Sequence, residues 1–144
     1  MDEALSRWRP VVLSLFRFIV GLIFLHFAIA KLFKFPPVRY LENVTPLSLW
    51  GFAGMIELVF GSLLVLGLLT RPAAFILSGE MAFAYFIESF PRSFYPAINN
   101  GGLEIMLCFG CLYLATAGGG SISLDAMLGR KADSAFRTPG RSNS

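Results

Sequence analysis

The stretch VVLSLFRFIVGLIFLHFAIAKLF, residues 11–33, decides how the rest of the chain is read. A helix that crosses hydrocarbon needs about 20 consecutive apolar residues at 1.5 Å each, and this run meets that length with only Ser14, Arg17, His26 and Lys31 breaking its apolar character. Three more runs, residues 47–69, 72–90 and 101–117, come close to the same length and composition. Only short loops lie between them. The chain of 144 residues is 56% hydrophobic and 15% charged, whereas about a quarter of a soluble domain is charged. Its polar residues are too few to cover a surface in water. The reading is therefore an all-α membrane protein: an antiparallel bundle of four transmembrane helices within residues 1–128, followed by a disordered cytoplasmic tail at 129–144. No room remains for a soluble catalytic module or a dinucleotide-binding unit.

Working outward, Ala28-Ile29-Ala30 imitates a signal-peptide cleavage site, but the apolar run is too long for a signal peptide and Arg17 interrupts it. Outside the spans, Arg7, Arg9, Arg71, Arg130, Lys131, Arg137 and Arg141 fall on one side, and Lys34, Arg39 and Arg92 on the other. Basic residues concentrate on the cytoplasmic side, so both termini are placed there, in a multi-pass protein of the cell's inner (plasma) membrane. The net charge of +3 comes without a basic cluster interleaved with aromatics, so a nucleic-acid partner is not expected. The lipid bilayer is. Pro36, Pro37 and Pro46 predict an extended or interfacial outer loop. Thr70 and Pro72 predict a tight inner turn, with Thr70 capping the third helix. One amphipathic turn is expected at residues 123–128.

The informative residues are the ionisable ones, because each charge in a span is costly unless it is paired or hydrated. Helical-wheel arithmetic aligns Arg17, Gly21, Ala28 and Lys31 on one stripe, with His26 on the opposite face. Gly54, Glu57 and Gly61 share a face on the second helix, and Glu104, Cys108 and Cys111 share one on the fourth. By depth, Arg17 and Glu80 form the expected inner pair, Glu57 and His26 lie at mid-depth or above, and Lys31, Glu88 and Glu104 gather at the outer end. This predicts a polar cavity on the non-cytoplasmic side. Lys31, Glu57, Glu104, Cys108 and Cys111 are the candidate reactive groups. Arg17, His26, Glu80, Tyr85, Glu88 and Asn100 are the candidate ligand contacts. Plainer alternatives stand beside these: a snorkelling Lys31, an Arg17–Glu80 pair that only sets helix register, and a His26 that only packs.

Cys108-Phe109-Gly110-Cys111 has dithiol spacing. Reactive pairs usually sit at a helix N-terminus, where the dipole favours thiolate, whereas these cysteines lie inside a span. Two small packing residues are the simpler reading. The cysteines also provide neither a disulfide framework nor a zinc pattern with the single histidine.

Several motifs together resemble the DoxX family of small four-span membrane proteins. They are residues 21–33, from Gly21 through His26 and Lys31; Gly54-Met55-Ile56-Glu57 with Gly61; residues 66–74 around Thr70-Arg71-Pro72; Tyr95-Pro96 with Asn100-Gly101-Gly102-Leu103-Glu104; and Ser123-Leu124-Asp125. The resemblance covers residues 15–128. It implies four antiparallel transmembrane helices and an association with membrane redox or thiol homeostasis, including subunits similar to thiosulfate:quinone oxidoreductase.

Two functional classes stand ahead of a third, a proton or solute carrier, for which no broken-helix pair or inverted repeat is evident. One is a redox accessory, such as a quinone-linked oxidoreductase subunit, whose outer cavity takes a diffusible quinone or small sulfur compound and which has a membrane or thiol-redox partner protein. The other is a non-catalytic scaffold or chaperone that binds other helices, or a homo-oligomer, through small-residue faces such as Gly54 and Gly61. No nicotinamide, flavin, haem or nucleotide motif is present, so no cofactor is expected within the chain itself.

Overall fold

The computed structural model describes residues 1–136, and among these there is no strand. Helix α1 spans Asp2–Leu32, α2 Leu49–Leu66, α3 Thr70–Ala84, α4 Pro96–Asn99, α5 Gly102–Ala117 and α6 Leu124–Phe136. A 3-10 turn at Arg39–Leu41 lies in the loop between α1 and α2, and a π-helical turn at Tyr85–Ser89 continues α3. Helices α1 and α2 are long and apolar enough to cross a membrane; α5 is apolar and slightly shorter.

Apolar side chains cover the outside of the bundle as well as filling its core, unlike in a soluble bundle. Leu15, Ile19, Leu22, Phe52, Val59, Phe75, Phe83, Met106 and Phe109 point outward, while Arg17, Lys31 and Glu57 are buried. Lipid is the surrounding that makes this pattern favourable. Helix α1 packs along α2 and α3 along α5; α2 meets α3, and α1 touches α5 more lightly. Phe24, Leu64, Leu77, Cys111 and Leu114 form the centre of the core. The α1–α2 seam closes at glycine: a Cβ on Gly61 would lie 3.0 Å from the Cβ of Phe24, and one on Gly21 would lie 2.8 Å from the backbone nitrogen of Val65.

Several boundaries differ from the sequence reading. Helix α1 starts at Asp2, not at residue 11, and runs through Pro10. The hydrogen bond that Pro10 cannot make falls in an exposed stretch, where water can replace it. Residues 129–136, expected in a disordered tail, continue α6; the rest of that tail, 137–144, lies outside the described residues. The loop between α1 and α2 is less extended than its prolines imply. Lys34 Nζ donates to the carbonyl of Leu41 at 2.8 Å and also to that of Val44, drawing the loop over the bundle end.

The turn between α2 and α3 is the clearest correction. Thr70 does not cap α3: its Oγ1 is buried and makes no hydrogen bond. Asp125 caps instead, its carboxylate accepting from the backbone nitrogens of Leu69 at 3.0 Å and Thr70 at 3.1 Å. Leu69 sits in the left-handed region (φ 49°), which turns these two N–H groups toward the start of α6. Gly67, also left-handed (φ 70°), ends α2, and its carbonyl accepts from the backbone nitrogen of Asp125 at 3.0 Å.

Arg17 joins this latch and does not pair with Glu80. Its Nη1 donates to Gly119 O and its Nη2 to Ile122 O, each at 3.0 Å. Its charge also interacts with Asp125. The carbonyls that follow the C-terminal end of α5 are the natural receptor for a cation, so the guanidinium finds its counterpart in the loop between α5 and α6.

Candidate functional site

Lys31 lies in the last turn of α1, and Glu57 lies in the middle of α2 beside Gly54. The α1–α2 seam brings them together: Lys31 Nζ donates to Glu57 Oε1 at 2.7 Å. Lys31 is 9% exposed and Glu57 1%. Its neighbours exclude a snorkelling Lys31, because the ammonium turns inward, with Nζ also 6.0 Å from the ring centroid of Trp50. A salt bridge this buried persists through geometry and coupling, since desolvation offsets much of its attraction.

The second oxygen of Glu57, Oε2, is buried and has no hydrogen-bond partner among the described residues; nor has either carboxyl oxygen of Glu80. Glu80 projects from α3 into the electrostatic neighbourhood of Glu57 and Lys31. The acid expected at the inner end with Arg17 thus belongs to the Lys31–Glu57 cluster.

Above this cluster lies a cavity of about 420 Å³. Phe24, Phe27, Met81, Leu103 and Leu107 provide its apolar wall; Lys31, Glu57, Glu88, Arg92, Asn99, Asn100 and Glu104 provide its polar groups, with Trp50, Leu41 and Val44 toward the loop between α1 and α2. The π-helical turn sets the α3 side. Phe90 N donates to Tyr85 O at 2.8 Å, one residue further along the chain than an α-helix would place the bond. Ser89 is buried there and donates to Glu104 Oε2 at 2.7 Å. Glu88 pairs with Arg92 at 3.3 Å on the more exposed rim.

The loop between α3 and α5 is held by Asn99. Its Nδ2 donates to Ser93 O at 2.8 Å and its Oδ1 accepts from Gly101 N at 2.8 Å, while Asn100 takes the left-handed conformation (φ 58°) that starts α5. Tyr85 does not line the cavity. Its hydroxyl accepts from Asn99 Nδ2 at 3.4 Å, which makes it a support for this loop.

Other sequence candidates fall elsewhere. His26 is exposed on the outer face of α1, edge-on to Phe27 with ring centroids 5.8 Å apart. The helical repeat carries it away from the Lys31 face, as the wheel had already placed it opposite. Cys108 and Cys111 are free thiols outside the cavity. Ser78 Oγ donates to Cys108 O at 2.8 Å and lies 3.6 Å from Cys108 Sγ, while Cys111 belongs to the core. Ser89, Asn99, Trp50 and Arg92 were missed. The turn sequence Asn99-Asn100-Gly101 offered a signal for Asn99, whereas nothing in a helical wheel anticipates a π turn at Ser89.

A family model for DoxX matches residues 12–89, a stretch that holds Lys31, Glu57, Glu80, Glu88 and Ser89. A Haemophilus influenzae protein named "Uncharacterized protein" is 39% identical over 127 residues, covering 84% of this chain and 93% of its own length. No solved structure matches the chain. The family match runs from the seam of α1 and α2 through the whole α3 side of the cavity: the chain is a membrane protein and belongs to the DoxX family.

Proposed function

We propose that the chain is a four-span protein of the inner membrane with both termini cytoplasmic, whose outward-facing cavity binds a quinone headgroup or a small sulfur compound in membrane redox or thiol homeostasis. The observation that carries this reading is the cavity itself. Its volume falls within the roughly 300–1,000 Å³ of small-molecule sites, and apolar walls stand over a few convergent polar groups. Phe24, Met81, Leu103 and Leu107 suit a flat apolar ring. Lys31 and Asn100 are donors for carbonyl or sulfur-oxyanion oxygens, and Glu57 and Glu104 are acceptors for hydroxyl groups. A bound quinone would supply two-electron, two-proton chemistry, with electrons from a partner protein, because the cysteines lie outside the cavity.

The scaffold reading loses the faces first assigned to it. Gly54 and Gly61 face α1 of the same chain, where Lys31, Leu32 and Phe24 cover them. They are spent on internal packing.

Trp50 lines the cavity and provides an internal reporter. Titration of the protein in lipid nanodiscs with short-chain ubiquinone and menaquinone analogues, and with thiosulfate, is expected to quench or shift its fluorescence saturably. The signal should vanish in Trp50→Phe, which keeps Trp8 as an internal control, and the midpoint should rise about tenfold in Glu57→Gln, one lost charge-assisted hydrogen bond. No saturable binding of any of these compounds would end the proposal.

A further inference from the structure

Beneath the ligand cavity, three buried acceptor atoms face a shortage of donors. Of the three N–H donors of Lys31, one goes to Glu57 Oε1 and none reaches another oxygen of this cluster, and Glu57 Oε2 and both oxygens of Glu80 are buried with no hydrogen-bond partner among the described residues. Glu57 is 1% exposed, so water does not reach it as it would a surface acid. Two ionised carboxylates beside one ammonium would leave a net negative charge in a low-dielectric interior and three orphan acceptors.

We propose that Glu57 and Glu80 together form a binding site for one exchangeable proton, reached from the cavity through Glu57. A proton on the pair cancels the excess charge and also creates the missing donor, since a carboxylic O–H from one acid satisfies an oxygen of the other. Other charged and titratable groups do not relieve the shortage. On α1, Arg17 is held by the carbonyls of Gly119 and Ile122. On α5, Glu104 is bonded by Ser89, while Cys111 adds a thiol beside Glu80 and Cys108 a second one a turn away. At the rim Glu88 pairs with Arg92. An alkali ion would require a fuller oxygen shell than these three atoms provide. Glu57 lines the cavity and Glu80 does not, so exchange proceeds from the outer side. The site does not depend on which molecule the cavity takes.

Infrared spectroscopy of the protein in nanodiscs, free of added quinone, tests this at neutral pH. One deuterium-sensitive carboxylic C=O band is expected, lost in Glu80→Gln and retained in the control Glu104→Gln. Lys31→Met, which removes the ammonium, should roughly double the band as both acids become neutral. A spectrum of the unsubstituted protein with no such band overturns the proposal, even if a variant fails to fold. So does a band that survives Glu80→Gln but disappears in Glu104→Gln, or one that saturating NaCl abolishes while choline chloride does not. Ligand titration fails or succeeds independently of this spectrum, so the two readings can be separated.

Discussion

At the residue scale, Lys31 and Glu57 show why charge inside an apolar chain is informative. Each is costly alone, and the pair at 2.7 Å is tolerated because each supplies what the other lacks. A double-mutant cycle of Lys31→Met and Glu57→Gln, followed by unfolding in bicelles, is expected to give a coupling of about 1–3 kcal/mol, with the two single losses summing to more than the loss of the double variant. Strict additivity would mean that the ion pair does not form in the membrane. Lys31, Glu57, Glu88, Asn100 and Glu104 were legible as one polar group because a buried charge in a span demands a partner or water, and the helical repeat brings them to one end. The partners themselves were not legible. Depth arithmetic ranks residues along the membrane normal but carries no azimuth between helices, so it joined Arg17 to Glu80 when the loop carbonyls were nearer. It also had no means of weighing backbone acceptors against side chains.

At the element scale, helix existence was legible and helix detail was not. Apolar length alone marks α1, α2, α3 and α5, yet the π turn at Tyr85–Ser89 depends on how Ser89 and Glu104 meet across α3 and α5. The capping of α3 depends on Asp125, which lies more than fifty residues along the chain from the turn it caps. Asp125→Ala should destabilise the protein by about 1–2 kcal/mol, the usual cost of losing a cap, with faster amide hydrogen exchange at Leu69 and Thr70. Thr70→Ala, by contrast, should leave that exchange unchanged, because the Thr70 hydroxyl caps nothing. The seam between α1 and α2 provides the opposite kind of test. Gly61→Val adds volume where Phe24 already stands 3.0 Å away, and overpacking of this kind costs about 1–3 kcal/mol. Thermal unfolding in the same bicelles measures both changes. If Gly61→Val were as stable as the parent protein, the two helices would not approach as closely as the coordinates place them.

At the scale of the whole molecule, the distribution of cations bears on orientation in the membrane. Lys34 and Arg92, on the side assigned outward, are engaged locally: Lys34 by the carbonyls of Leu41 and Val44, and Arg92 by Glu88. At the opposite end, Arg7, Arg9 and Arg130 stand exposed beside the apolar helices, and Arg71 is exposed at the turn between α2 and α3. Arg39 is also exposed on the side assigned outward and Arg130 Nε donates to Ala126 O, so the asymmetry is one of number, and it is Lys and Arg near the helix ends that retain a segment in the cytoplasm. Four crossings follow if the chain returns at each of the turns 34–46, 67–69 and 91–100. Single cysteines placed in a Cys108→Ala, Cys111→Ala background test this directly. Glu42→Cys and Phe94→Cys should react with a membrane-impermeant maleimide added to intact cells, whereas Glu3→Cys and Arg130→Cys should react only after the membrane is opened. Labelling of Glu3→Cys from outside would invert the bundle and turn the mouth of the cavity toward the cytoplasm. Labelling of Glu42→Cys together with protection of Phe94→Cys would leave α3 and α5 without a complete crossing. In the first case a ligand or proton would have to reach Glu57 from the cytoplasmic side; in the second the loop around Leu41 and Val44 would still open the cavity outward, without a membrane-spanning α3–α5 wall.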